Sequence, residues 1–125
     1  MLSHVSFGTN DIARARAFYE PLMAVLGLRL LNEDTSSLDY GASALVFSLE
    51  KPTDGKPASA GNGAHIAFAA HNRAMVDAFY KTALAHGGKD AGPPGLRPEY
   101  DAHYYAAFVF DPDGNKLEAV TLGAR

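Results

Sequence analysis

The chain has 125 residues, of which 47% are hydrophobic and 20% are charged, the size and composition of one globular domain. Its net charge of −3 and its 11 scattered lysines and arginines exclude a basic surface for nucleic acid or anionic lipid, so neither nucleic acid nor membrane is an expected partner. Without cysteine there is no disulfide or thiolate metal site, and without a signal-peptide pattern we expect a cytoplasmic location.

The first elements predicted along the chain are a strand and a helix. Val5 and Phe7 alternate with small residues, which predicts a half-buried strand. Asp11 is the predicted N-cap of a helix whose apolar residues recur at helical spacing up to Gly27. Three short apolar runs, "LRLLNED", "SSLDYG" and "ALVFSLE", then predict an antiparallel meander.

The chain then repeats itself after a linker at 51–63 that is rich in proline, glycine and small polar residues. At an offset of 61 residues, "HVSFGTNDIARARAFYEPLMAVLG" aligns without a gap with "HIAFAAHNRAMVDAFYKTALAHGG". His4 falls on His65 and Gly27 on Gly88, and Asn72 is the predicted cap of the second helix. We therefore predict an α+β fold in which each copy is a βαβββ module, 1–50 and 64–125, within a single domain.

The second module ends in a predicted hairpin, "YYAAFVF" and "NKLEAV" around "DPDG". A two-residue or four-residue turn would place Tyr105, Ala107 and Val109 on the face of Glu118, and a three-residue turn would reverse that assignment. The segment 91–103 is predicted as a long irregular loop, of the kind that often borders a site.

His4 and His65 alternate with buried strand positions, so both side chains are predicted on the sheet face away from the helices. Their neighbours on that face are all small and predict a hollow there: Ser6, Gly8, Ala67 and Ala69. Glu118 lies among apolar residues without an obvious basic partner, and an isolated buried carboxylate is costly. A divalent cation held by the two imidazoles and the carboxylate would remove that cost. A structural, hydrogen-bonded histidine is the alternative for each ring taken alone.

These motifs resemble the vicinal oxygen chelate superfamily, which includes glyoxalase I, extradiol dioxygenases, fosfomycin-resistance thiol transferases and bleomycin-binding proteins. The resemblance rests on the paired modules, "HVSF" and "HIAF", the "FY" of each helix and the terminal "DPDGNKLEAV", and it covers essentially the whole chain. It implies a cupped mixed sheet with helices on the outer face, and it matches His4, His65 and Glu118 to the metal-ligand positions.

One position departs from glyoxalase I, which has a second carboxylate ligand on the last strand of the first module. Here the matching residue is predicted to be Leu45 or Phe47, neither of which binds metal, and Glu50 is predicted to project from the other face. The remaining three-ligand site resembles the dioxygenase or thiol-transferase branches. Its metal would be Mn, Fe, Ni, Co or Zn.

The candidate substrate-binding residues surround the second long loop and are Arg97, Tyr100, His103 and Tyr105. The leading hypothesis is a metalloenzyme that acts as a lyase, thiol transferase or dioxygenase on a small molecule chelated through adjacent oxygens. The alternatives are a metal-free binding protein similar to the bleomycin-binding members, or an assembly surface. Open sheet edges predict a homodimer. If its cup is shared, His4 would come from one chain and the other two ligands from its partner.

Overall fold

The computed structural model describes all 125 residues and contains two copies of one βαβββ module. The first module consists of β1 (Val5–Gly8), α1 (Ile12–Val25), β2 (Arg29–Glu33), β3 (Ser37–Gly41) and β4 (Leu45–Glu50). The second consists of β5 (His65–Ala69), α2 (Arg73–Ala85), β6 (Lys89–Leu96), β7 (Tyr105–Phe110) and β8 (Lys116–Thr121). The chain has no helix with the length and apolar character needed to cross a membrane.

Each module forms its own four-stranded mixed sheet. The strand orders are β1-β4-β3-β2 and β5-β8-β7-β6, with the first strand of each module parallel to the last and the other pairs antiparallel. The sheets are cupped and the helices lie outside, so the predicted α+β architecture is confirmed. The strands β1 and β5, which carry the repeated sequence, are both edge strands.

The two helices begin where the sequence predicts, because each N-cap side chain accepts a hydrogen bond from the first turn. Asp11 accepts from the backbone N–H of Arg14 and Asn72 from that of Met75, both at 2.9 Å. Gly27 and Gly87 follow the helices with φ of 79° and 99°, a conformation that glycine adopts at little cost.

One apolar core joins the two modules, and a cluster of polar residues lies beside it at the interface between them, which we call the joint. Phe47 of β4 packs edge-on against Phe68 of β5, with ring centroids 5.4 Å apart. Next to this contact, the buried hydroxyl of Tyr19 donates to Asp111 at 2.5 Å, and burial raises the pKa of that carboxyl group. Asp113 also accepts hydrogen bonds from Thr9 and Arg14 of the first module.

The prediction of an irregular loop over 91–103 is wrong for its first half, which belongs to β6. This strand lies at the sheet edge, and its pairing with β7 shifts register at Gly92 and again before Gly95. Pro93 and Pro94 occupy the irregular stretch between them, where no ladder hydrogen bond is required of them. Bulges at an edge therefore accommodate a sequence that resembles a loop.

Candidate functional site

Glu118 is the centre of the candidate site, and the register of β8 explains its position. It lies between Ala67 of β5 and Phe108 of β7, and it is only 2% exposed. Its Oε1 atom is 2.9 Å from Nε2 of His65, and its Oε2 atom accepts a hydrogen bond from the Tyr104 hydroxyl. Both oxygens of this buried carboxylate are therefore engaged by side chains of the same module.

The two groups bound to Glu118 differ in what they can do. The His65 side chain is 42% exposed, so solvent or a ligand can reach the imidazole ring beside the buried carboxylate. Burial, followed by the hydrogen bond to Glu118, raises the pKa of Tyr104 to about 12, so this phenol is a neutral donor at physiological pH. An accessible imidazole next to a buried carboxylate can bind a cation or exchange a proton.

His4 does not join this pair within one chain. Its ring lies before β1 at an exposed position, with Nδ1 3.1 Å from the Ser3 hydroxyl oxygen. No three side chains of the His, Cys, Asp and Glu types lie close enough together to hold a metal ion. A single chain therefore brings together two of the three predicted ligands, His65 and Glu118.

Of the two faces left open for Tyr105, the structure has the reversed one, because the β7–β8 connection contains an odd number of residues, the five from Asp111 to Asn115. Phe110 pairs with Lys116, so Phe108 rather than Ala107 shares the face of Glu118. Tyr105 lies on the helix side, where its hydroxyl donates to Asp77 at 2.6 Å.

The first-module position that matches Glu118 is Ser48, which corrects the prediction of Leu45 or Phe47. The register pairs Ser6 with Ser48 in the first module and Ala67 with Glu118 in the second. Ser6 and Ala67 are equivalent positions of the repeat, 61 residues apart, so their partners Ser48 and Glu118 are equivalent as well. The Ser48 hydroxyl donates to Asp39 of β3 at 2.8 Å. Glu50, paired with Gly8, has the parity of Ser48 and not of Phe47. It therefore lies on the opposite face from Phe47, as predicted, but that face is the one that matches Glu118.

A cavity of about 450 Å³ opens over Glu118. Its lining includes Arg97 and Tyr100 of the predicted substrate-binding residues, and Tyr100 is 66% exposed at the rim. His103 is not among the lining residues and lies in an exposed turn, where its backbone N–H donates to Asp101. The cavity thus retains two of the four predicted residues.

Sequence reasoning missed two further side chains of the lining, Phe108 and Lys116. Lys116 precedes Glu118 by two positions in the same strand, and strand alternation alone could have identified it. Phe108 could be assigned to the cavity only if the length of the β7–β8 connection were known. An odd number of residues in that connection places Phe108, rather than its strand neighbours, on the face of Glu118.

The fold and this site can be compared with known proteins. The model of the Glyoxalase/Bleomycin resistance protein/Dioxygenase superfamily matches residues 1–119. A glyoxalase/bleomycin resistance protein from Albidiferax ferrireducens T118 is 37% identical, with a TM-score of 0.90 over 96% of this chain and 98% of that one.

More distant structures share the fold. A glyoxalase-related enzyme from Fulvimarina pelagi is 19% identical, with a TM-score of 0.75 over 96% of this chain and 86% of its own. A glyoxalase/bleomycin resistance protein/dioxygenase family enzyme from Burkholderia phytofirmans PsJN is 17% identical, with a TM-score of 0.73 over 97% and 98%. No curated protein matches the chain. The match over residues 1–119 and the 37% identity over nearly the whole length place this chain in the Glyoxalase/Bleomycin resistance protein/Dioxygenase superfamily.

Proposed function

We propose that this protein is a divalent-metal-dependent enzyme that acts on a small molecule bound through adjacent oxygen atoms. The observation that carries the proposal is the 2.9 Å separation of His65 Nε2 from Glu118 Oε1 at the base of an open cavity. The reaction would be that of a lyase, a thiol transferase or a dioxygenase.

The donor atoms fit a metal ion. Metal bonds to imidazole nitrogen and carboxylate oxygen are about 2.0–2.2 Å long, so two such ligands at right angles lie about 3 Å apart. One imidazole and one carboxylate suit Mn, Fe, Ni, Co or Zn. Such an ion would supply Lewis-acid chemistry to a substrate held by these residues.

The third ligand in this proposal is His4 of a second copy, in a homodimer with a shared cup. Two features support it: within one chain no third side chain of ligand type joins His65 and Glu118, and β1 and β5 are both edge strands. The roles of the chain are then divided. His65 and Glu118 would hold the ion, the Tyr104 hydroxyl orients the carboxylate, and the cavity above them would receive the substrate.

The first test is the metal content of the untagged protein after exposure to Mn, Fe, Ni, Co and Zn. We expect about one ion per chain in the wild type and a loss of binding in His65→Ala and His4→Ala. The matched control is His71→Ala, which removes an exposed histidine outside the site and should leave the content unchanged. Wild-type protein that takes up no ion above the level of His65→Ala would refute the proposal.

A mixing experiment tests whether the cup is shared. His4→Ala and His65→Ala chains are unfolded, combined in equal amounts and refolded. About half of the dimers should be mixed, each with one complete site of two, so the sample should regain about a quarter of the wild-type metal content. If one chain supplied all the ligands, mixing would restore nothing.

A second candidate function is metal-free binding of a small molecule. The observation that favours it is that His65 and the Tyr104 hydroxyl already engage both oxygens of Glu118, which offsets the cost of burying the carboxylate. Under this alternative the purified protein binds no ion, and ligand affinity is unaffected by a chelator. Under the first proposal, the chelator removes both the ion and activity towards dicarbonyls, catechols, or epoxides with thiols.

A further inference from the structure

The cavity above Glu118 contains a positively charged side chain that is fixed in place without an acidic partner. Arg97 follows β6, and its guanidinium donates from Nη1 to the Gly95 carbonyl at 2.9 Å and from Nη2 to the Pro93 carbonyl at 2.8 Å. Both acceptors are neutral, and Arg97 forms no salt bridge. Three of its five N–H groups remain for a ligand.

The glycines of β6 make room for this guanidinium. A Cβ atom on Gly92 would lie 3.3 Å from Arg97 Nη2 and 3.1 Å from Cδ2 of Phe108, and one on Gly95 would lie 3.2 Å from Nη1. Gly92 also has φ of +150°, which side chains rarely adopt. The bulged, glycine-rich strand therefore lets the guanidinium lie against Phe108, with its Cζ atom 5.6 Å from the ring centroid.

A second cation lies near the same ring. The Nζ atom of Lys116 is 5.1 Å from the Phe108 centroid, and Lys116 also forms no salt bridge. The register places Lys116 beside His65 and Phe108 beside Glu118. Both cations therefore lie in the wall of the cavity that contains the His65–Glu118 pair.

The charges of the lining do not balance. Arg97 and Lys116 are cationic, and Glu118 is the only acidic residue among the nine that line the cavity. Its carboxylate is already engaged by His65 and Tyr104, so it does not neutralise either cation. Fixed cations in a partly enclosed cavity attract an anion and bind it through charge-assisted hydrogen bonds.

From this geometry we infer that the ligand is a small anion, whose carboxylate or phosphate-type group is bound by Arg97 and Lys116 over the face of Phe108. This deepens the proposed function, on which it rests for the metal, by naming the substrate class. A cavity of about 450 Å³ limits the ligand to a small molecule. Adjacent oxygens of the same molecule would then reach the His65–Glu118 pair.

The test measures anion binding to chelator-treated protein, so that it does not depend on a metal. Oxalate and inorganic phosphate are titrated separately, with the neutral diamide oxamide as a matched probe, while the amide NMR signals of Gly92, Gly95 and Lys116 are followed. We expect an anion to bind at least about 10-fold more tightly than oxamide. The tighter of the two anions identifies the carboxylate or the phosphate class.

Variants then assign the binding to the two cations. Arg97→Gln and Lys116→Gln should each weaken anion binding by about 10-fold, because each removes a charge-assisted contact. Arg97→Lys should recover only part of the loss, since it keeps the charge without the planar fork. The control Lys81→Gln removes an exposed lysine of α2 and should remain within about 2-fold of wild type.

The outcomes separate this inference from the proposed function. Anion binding that depends on Arg97 in a protein that takes up no metal would refute the proposed metal-dependent function and support the inference of an anionic ligand. Metal binding without any preference for the anions over oxamide would refute the inference of an anionic ligand and leave the proposed metal site supported. Equal anion affinity in wild type and the Arg97→Gln Lys116→Gln double variant would also overturn the inference.

Discussion

The two modules share one backbone plan and differ in what their matching side chains do. In the second, Glu118 is buried and is engaged by His65 and the Tyr104 hydroxyl under an open cavity. In the first, the matching position is Ser48, which donates to Asp39 on the neighbouring strand. Register is therefore preserved between the copies, while the chemistry on the corresponding faces has diverged.

The matching helices also differ in the same way. Tyr19 and Tyr80 occupy equivalent positions 61 residues apart. Tyr19 is buried and donates to the buried Asp111 across the joint between the modules, whereas Tyr80 donates at the surface to Asp90 of its own module. One copy of the helix thus contributes to the joint and the other to local structure.

The largest expected effect is on metal affinity, in a comparison of a Glu118 variant with a Ser48 variant. If Glu118 holds the proposed metal, Glu118→Gln should weaken metal binding by more than about 100-fold, because loss of a charged ligand costs more than loss of a residue that only orients one. Ser48→Ala should change the affinity by less than about 2-fold. Titration of chelator-treated protein with Zn or Mn measures both. Similar losses in the two variants would show that the faces are not functionally distinct.

The next effect concerns the joint. Tyr19→Phe should lower the free energy of unfolding by about 2 kcal/mol, because Asp111 loses a donor in a buried environment. Tyr80→Phe should have little effect on the denaturant midpoint, because water can replace its hydroxyl at Asp90. Urea unfolding of both variants makes the comparison. Equal midpoints would contradict the assigned role of Tyr19.

The pH dependence of stability provides a second test of the buried Tyr19 hydroxyl. Burial, followed by the charge of Asp111, raises the pKa of Tyr19 well above its ordinary value of 10.0. The folded state therefore holds this proton more tightly than the unfolded state. Its stabilising contribution is complete below pH 10 and is lost as the pH rises towards the folded pKa.

Each pH unit in that window should remove up to about 1.4 kcal/mol of stability through this one group. Tyr19→Phe should therefore show a shallower decline than the wild type between pH 10 and 11.5, although it starts from a lower value. Urea midpoints measured across this range test the prediction. Parallel curves for wild type and Tyr19→Phe would contradict it.

Local signals explain why much of this structure could be predicted from sequence. The caps at Asp11 and Asn72 depend on contacts within one turn, and the repeat at an offset of 61 fixes two modules of the same order. Both of these features depend on a few residues or on the repeat. The contact of His65 with Glu118 also requires β5 and β8, far apart in sequence, to be parallel neighbours, which alternation alone does not predict.

Sequence reasoning fails where a shift of one residue in strand register decides which side chains face the site. The five-residue β7–β8 connection is held by Asp111, which accepts hydrogen bonds from the backbone N–H groups of Asp113 and Asn115. That odd length exchanged the faces of Tyr105 and Phe108. The distance of His4 from His65 and Glu118 depends on how whole sheets are arranged, which alternation within a strand does not determine.

The smallest expected effect is one in which the modules should agree. Asp11→Ala and Asn72→Ala each remove a cap that accepts a 2.9 Å hydrogen bond, so each should cost about 1 kcal/mol of unfolding free energy. For a domain of this size that corresponds to a fall in Tm of about 4 °C. Calorimetry on the two variants measures it. A clearly larger loss for one cap would mean that the two caps are not equivalent, and the two copies would then differ in local stability as well as in chemistry.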